Sequence, residues 1–246
     1  MKHIMIRAFK FALSIVGLLV VTLGQASAGP IITVPTSLSP GDSYRLAFLT
    51  SQKIDATNLN IFVYNSFVDG LGDTNVIVSD WRAIGSTSFT DARDNTGTNP
   101  NLDGVGVPIF MLNDELLANN NADLWDGSIA PFFGFRYRDD GLSAGAAGEA
   151  VWTGTLEDGT AQPTYALGSA FPLSLYGSSS VSGPEWINWS VGPKSDARHM
   201  YTMSDLLVVP GAVVPEPSSL ILLGIGAVGL LGYRLRRKRK LSPMSS

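Results

Sequence analysis

The residues Tyr44-Arg45-Leu46-Ala47-Phe48-Leu49 mark the start of a folded domain. Their side chains alternate in character over six positions, which predicts a β-strand. A helix is predicted next, capped by Asp55 or Thr57 and ending near Leu71. Its apolar side chains recur at helical spacing: Leu59, Phe62, Val63, Phe67 and Leu71. A strand followed by a long helix indicates a fold that mixes both kinds of element.

The rest of the domain is predicted as short elements between long polar loops. Apolar runs give strands at 81–84, 107–112, 151–155, 165–167 and 199–209, and a brief helix within 115–125. The turn residues Glu157-Asp158-Gly159 predict a hairpin between the strands at 151–155 and 165–167. Together these elements predict a single α+β domain over residues 44–209, preceded by an extended arm at 29–43.

Charge is distributed unevenly along the 246 residues, whose formal net charge is −4. Residues 1–28 and 218–246 hold nine of the 17 basic residues and no acid, so residues 29–217 carry eight basic and all 21 acidic residues. A body with such an excess of negative charge repels phosphate backbones, so we expect no nucleic-acid partner. The sequence contains no cysteine, and the domain must therefore be stable without disulfides.

Residues 1–28 have the layout of a secretory signal peptide. Three basic residues lie within the first ten positions, and an apolar run follows at 11–23. Ala26 and Ala28 are the small residues that signal peptidase requires before its cleavage site. We therefore expect cleavage after Ala28 and export through the inner membrane. The alternative is an uncleaved anchor helix, although the apolar run is short for a bilayer span of about 20 residues.

The C-terminal segment has the layout of a short transmembrane helix. Residues 220–233 are fourteen uncharged residues, and six basic residues follow within 234–240. At about 1.5 Å per residue the run covers some 21 Å, less than the roughly 30 Å hydrocarbon core, so snorkelling side chains and local thinning must close the gap. The basic tail at 234–246 is expected to lie in the cytoplasm by the positive-inside rule. Both ends thus predict the same topology, in which the body is exported and the tail stops transfer through the membrane.

A proline-rich linker at 210–219 precedes this helix and contains Pro215-Glu216-Pro217. Its two prolines favour an extended backbone that a protease can bind. The order of Pro-Glu-Pro, short glycine-rich helix and arginine-rich end resembles the PEP-CTERM sorting signal of Gram-negative bacteria. This resemblance implies that an exosortase, a membrane cysteine protease, cuts near the motif and releases or transfers the body. The alternative is a bare membrane anchor that is never cut.

Several short motifs of the body occur in a familiar order: Leu49-Thr50-Ser51, Trp81-Arg82-Ala83-Ile84-Gly85-Ser86, Asp91-Ala92-Arg93-Asp94, Gly106-Val107-Pro108-Ile109-Phe110, Ala122-Asp123-Leu124-Trp125-Asp126-Gly127 and Val151-Trp152-Thr153-Gly154-Thr155. In these motifs residues 44–206 resemble exported bacterial domains related to the C-type-lectin-like fold. The resemblance implies that fold and a biofilm setting. The chain departs from animal C-type lectins because it lacks their disulfide cysteines and their Glu-Pro-Asn tripeptide. Sugar binding therefore does not follow from the fold alone.

Oxygen-bearing side chains between residues 91 and 103 form a candidate calcium site: Asp91, Asp94, Asn99, Asn101 and Asp103. The last three occupy alternate positions before Gly104, as in the first half of an EF-hand loop, and calcium accepts roughly six to eight oxygens. The twelfth loop position is Phe110, where an EF-hand needs a bidentate Glu, so Asp91 and Asp94 would complete a different site. The alternative is a polar loop whose side chains cap its own turns.

Tryptophans supply a second candidate site. Trp186 and Trp189 flank Asn188 in a stretch rich in Gly, Ser and Pro, and indole faces stack on sugar rings. These three residues are the candidate carbohydrate-binding group. The alternative is that the tryptophans pack in the core.

An enzyme is not indicated, and no catalytic residue is predicted. His199 is the only histidine after residue 28, and we expect it half-buried or exposed on a strand. The G-x-S-x-G match at residues 141–145 lies in a stretch predicted as loop, not at the strand-to-helix turn that a nucleophile elbow requires. We expect a non-catalytic surface or matrix protein whose partners are signal peptidase, an exosortase, the membrane and exopolysaccharide. The alternatives are a polysaccharide-acting hydrolase, which requires two carboxylates in one cleft, and a structural protein without a ligand.

Overall fold

The computed structural model describes residues 28–211 together with Leu230 and Tyr233. The chain divides into two compact units, Met1–Val209 and Pro210–Ser246. The described residues of the first unit form a mixed, sheet-dominated fold with few helices, and the sequence has no cysteine for disulfides. Among the helices that can be described, none has the length and apolar character needed to cross a membrane.

One sheet contains all nine strands of the described part of the first unit: β1 Ser43–Leu49, β2 Trp81–Ala83, β3 Ile109–Met111, β4 Leu116–Ala118, β5 Ala150–Trp152, β6 Leu173–Ser178, β7 Ser190–Pro193, β8 His199–Ser204 and β9 Leu207–Val208. The helices are one long element and three single turns: α1 Ile61–Asn75, α2 Ala92–Asn95, α3 Asn121–Leu124 and a 3₁₀ turn at Pro184–Trp186. The strands expected near 44–49, 81–84, 107–112, 151–155 and 199–209 are confirmed.

The strand order is β4-β3-β1-β8-β5-β6-β7, with β2 paired to β8 and β9 paired to β1. The β1–β3 and β5–β8 pairs are parallel, and the others are antiparallel. In the central β1–β8 pair, Ala47 lies opposite Met203 and Leu49 opposite Tyr201. The first strand is therefore paired with the last two, which brings the two ends of the domain together.

The central strands β1 and β8 are buried on both faces. Along β1, Ala47 and Leu49 belong to one hydrophobic cluster, whereas Leu46 and Phe48 belong to another. Alternate side chains of a strand point to opposite faces, so one short strand supplies both cores. The first cluster is built around four aromatic rings: Trp125, Phe135, Trp186 and Tyr201. Each such fully buried side chain contributes about 1.5–3 kcal/mol or more to folding.

The long helix differs from the predicted one in its start and in its buried face. It begins after Asn60, whose side chain accepts a hydrogen bond from the N–H of Phe62, and it runs on to Asn75, so the predicted cap at Asp55 or Thr57 is wrong. Its buried side is formed by Ile61, Tyr64, Val68, Leu71 and Gly72. Phe62 and Val63, two of the apolar residues on whose spacing the helix was predicted, are exposed. Apolar residues occupy two adjoining faces of this helix, and packing against β2 selects one of them.

Two further elements differ from the prediction. Within the stretch predicted as a helix, residues 116–118 form β4, because pairing with β3 overrides the helix propensity of Leu and Ala. Strand β5 pairs with β6, whereas residues 165–167 form no strand. Glu157-Asp158-Gly159 closes only a tight turn, in which the N–H of Leu156 donates to the carbonyl of Thr160 at 2.8 Å.

Candidate functional site

The residues of the two predicted processing sites lie mostly outside the described residues. This holds for Ala26, for Pro215-Glu216-Pro217, and for all of the predicted membrane helix and basic tail except Leu230 and Tyr233, which are helical. Ala28 is described and is exposed. The arm that follows it is attached to the domain from its start, because the N–H of Gly29 donates to the carbonyl of Gly141 at 2.8 Å.

The candidate calcium residues Asp94, Asn99, Asn101 and Asp103 bond to one another within their loop. Asn99 Nδ2 donates to Asp94 Oδ1 at 2.6 Å, and the Asn99 N–H donates to Asp103 Oδ2 at 2.8 Å. The N–H of Asn101 donates to Asn99 Oδ1 at 3.0 Å, which is the geometry of an Asx turn. These contacts agree with the self-capping alternative.

The fifth candidate, Asp91, serves a different part of the fold. Its Oδ1 accepts the N–H of Ala161 at 2.8 Å, and its Oδ2 lies 3.7 Å from Arg93. It therefore fastens the start of α2 to the turn after β5. In the part of the chain that the structure describes, no three His or acidic side chains gather closely enough to hold a metal ion. Calcium binding by these residues is untested, and their mutual contacts favour the self-capping alternative.

The structure separates the three candidate carbohydrate residues. Trp186 is fully buried in the first hydrophobic cluster, 5.5 Å from the ring of Tyr201, and is inaccessible to a sugar. Asn188 donates to Glu157 Oε1 at 2.8 Å. Trp189 is 55 % exposed and meets Tyr176 edge-to-face at 5.7 Å. The two tryptophans do not form a surface pair, and a binding role for Asn188 and Trp189 stays a prediction.

His199 is buried, at 3 % exposure, and not half-buried or exposed as expected, because β8 lies in the middle of the sheet. Its Nδ1 lies 2.6 Å from the carbonyl oxygen of Thr50 and must carry the proton, because a carbonyl only accepts. Its Nε2 lies 3.6 Å from Glu149 Oε2. Burial lowers the pKa of His199 below its ordinary value, and the nearby Lys53 and Arg138 act in the same direction.

A groove of about 230 Å³ lies between α1 and β2. Two helix side chains there cover the outer edge of β2. Asp69 Oδ1 accepts the N–H of Trp81 at 2.9 Å, and Asn65 Oδ1 accepts the N–H of Ala83 at 3.0 Å. Asn65 and Asp69 lie four residues apart on one helix face, a spacing that matches alternate residues of a strand. The helix thereby satisfies an edge that would otherwise be open to pairing.

The same groove is lined by an aromatic ring and by charged groups. Phe62 is 69 % exposed, and Asp80 and Arg82 are exposed as well. Among the salt bridges of the described residues, none joins Arg82 to Asp69 or Asp80. The groove was not predicted from the sequence. The only local signal was the spacing of Asn65 and Asp69, and nothing in the sequence connects it with residues 80–82.

Comparison with known families identifies one segment of the chain. Residues 213–238 match the PEP-CTERM protein-sorting motif, which confirms the resemblance seen around Pro215-Glu216-Pro217. No curated protein matches the chain. The motif supports assignment as a PEP-CTERM protein and implies export and sorting to the cell surface by an exosortase, a membrane protease.

Proposed function

We propose that this chain is a non-catalytic component of the cell surface or extracellular matrix of a Gram-negative bacterium, exported by its N-terminal signal peptide and processed by an exosortase. The observation that carries the proposal is the sorting motif at residues 213–238. The motif starts four residues after Val209, where the first compact unit ends, so a cut within the motif leaves that unit whole.

We further propose that the domain has a C-type-lectin-like fold and contacts exopolysaccharide within a biofilm. The ordered motifs of residues 44–206 support the fold. The exposed ring of Trp189 supports a carbohydrate contact, because an indole face is partly apolar and can stack on a sugar ring.

The test is the intact mass of the mature protein from native cells and from cells that lack the exosortase. We expect native cells to yield a protein that starts at Gly29 and has lost everything after the Pro215–Ser219 region. Cells without the protease should retain residues 234–240. If the protein from both strains retained residues 234–240, the C-terminal segment would be only an anchor, and the proposed sorting would be rejected.

A second candidate function, hydrolysis of polysaccharide, is favoured by one observation. Asp69 and Asp80 line the same groove, as the two carboxylates of a glycosidase must. One oxygen of Asp69 is already bonded to the N–H of Trp81, which leaves one free. Release of reducing ends from a polysaccharide by the wild-type protein, lost in Asp80→Asn, would establish this function. Absence of release under conditions where the polysaccharide is bound would reject it.

A further inference from the structure

We propose that the groove between α1 and β2 binds one ring of a neutral polysaccharide, stacked on Phe62 and hydrogen-bonded by Asp69, Asp80 and Arg82. The proposal rests on the polysaccharide contact of the proposed function and adds to Trp189 a second contact, formed by residues that the sequence did not indicate as binding residues.

The first argument is the exposure of Phe62. It lies on the long helix beside Tyr64, which is fully buried, yet most of its own ring faces solvent at the groove. A phenyl face left in water beside polar groups provides the apolar part of a binding site, whereas the polar groups fix the orientation of the ligand. The C–H face of a pyranose ring is the matching surface.

The second argument is the set of charged groups that accompanies the ring. Arg82 and the two carboxylates line one groove without forming a salt bridge with one another. A guanidinium presents several N–H donors in one plane, and a carboxylate presents two acceptor oxygens. Each sugar hydroxyl can both donate and accept, so adjacent hydroxyls can bond to Arg82 and to the carboxylates at the same time. Hydrogen bonds that involve an ionised group are about twice as strong as neutral ones.

The third argument concerns the charge of the ligand. The groove carries two acids and one base, and the body around it is strongly acidic. Uronate or phosphate groups would be repelled there, which leaves a neutral sugar as the favoured ligand. The volume of about 230 Å³ is below the range of drug-sized pockets and suits a single ring of a longer chain.

The test is affinity electrophoresis of the purified full-length protein through gels containing dextran, mannan or laminarin as neutral probes and alginate as an acidic one. We expect retardation by at least one neutral probe and none by alginate. Phe62→Ala and Arg82→Ala should each weaken that binding by about tenfold or more, given the usual strength of charge-assisted hydrogen bonds and aromatic contacts.

The matched control is Phe89→Ala, since Phe89 is 82 % exposed and does not line the groove. It should bind within about twofold of wild type, because surface changes away from a site have small effects. Melting temperatures equal to that of wild type will show that the variants are folded, as their exposed side chains predict. Absence of retardation by every neutral probe, equal loss in Phe89→Ala, or preferred binding to alginate would each overturn the proposal. None of these outcomes would affect the sorting proposal, which rests on the mass of the mature protein.

Discussion

Two glycines of α1 offer a sharp test of how this helix packs. Gly70 is exposed, and a Cβ added to it would meet no atom within 4 Å. A Cβ at Gly72 would lie 2.5 Å from Cγ of Trp81, whose indole is buried and whose Nε1 donates to the carbonyl of Ile77 at 2.9 Å. Ordinary carbon–carbon contacts are about 3.5–4 Å, so the indole or the helix must shift.

The two substitutions are therefore expected to act in opposite directions. Alanine gains about 0.5–1 kcal/mol over glycine inside a helix, so Gly70→Ala should be more stable than wild type by that amount. In Gly72→Ala the same gain is outweighed by overpacking, which costs about 1–3 kcal/mol. Because the helix gain is common to both variants, their difference isolates the clash with Trp81 and should be about 1–3 kcal/mol.

Urea denaturation followed by tryptophan fluorescence would measure these differences in unfolding free energy. They are obtained from the urea concentration at the midpoint, provided that the slope of free energy against urea concentration is the same in all three proteins. Wild type and both variants should differ in midpoint only. If Gly72→Ala proved as stable as Gly70→Ala, the close packing of α1 on β2 would be wrong, and the groove between these elements would lose its geometric basis.

Three further predictions concern His199, the tryptophans and the calcium loop. Burial lowers the pKa of His199 in the folded protein, so the unfolded chain binds more protons than the folded chain. The free energy of unfolding should therefore fall as the pH drops below about 6.5, the ordinary pKa of histidine. The slope should be at most roughly 1.4 kcal/mol per pH unit, and the fall should end once the pH is below the folded pKa. In denaturation curves between pH 5 and pH 8, the unfolding free energy of His199→Asn should lack this dependence on pH. Equal pH dependence in the variant and in wild type would contradict the lowered pKa of His199. Trp186→Ala should lose about 3–5 kcal/mol of unfolding free energy and Trp189→Ala less than about 1 kcal/mol, and equal losses would show that the two rings are not in core and surface positions. Because Asp94 is already bonded within its loop, calcium should leave the melting temperature unchanged, and a rise that Asp94→Ala abolishes would establish the calcium site.

Features that depend on neighbouring residues were predictable from the sequence. The strand at 44–49 was found from its own six residues, although both of its faces are buried, with Ala47 and Leu49 in one cluster and Leu46 and Phe48 in the other. The sorting motif was found because its order and spacing are themselves the signal. The self-capping loop was present among the alternatives, since Asn99 and Asp103 bond to groups only a few residues away.

Features that depend on distant pairing were not predictable. The buried face of α1 was not predicted because Phe62 and Tyr64 are both aromatic, and the side that is buried depends on residues of other elements in the second cluster, such as Trp81 and Phe48. The partner of β5 was misassigned because 20 residues separate the end of β5 from the start of β6. The burial of His199 followed from the place of β8 inside the sheet, and strand order is not encoded in any single segment.

The end of the domain explains how processing at the sorting motif is compatible with a stable body. Strand β9 pairs with the start of β1, and Val209 closes the pairing through hydrogen bonds with Gly41 and Asp42. Pro215 lies six residues beyond that last pairing. A cut at Pro215-Glu216-Pro217 therefore removes no residue of any strand in the described domain, and the released body keeps its sheet and its groove intact. The sequence that directs sorting and the residues that we propose to bind sugar are thus separate parts of one chain, and each can be altered without loss of the other.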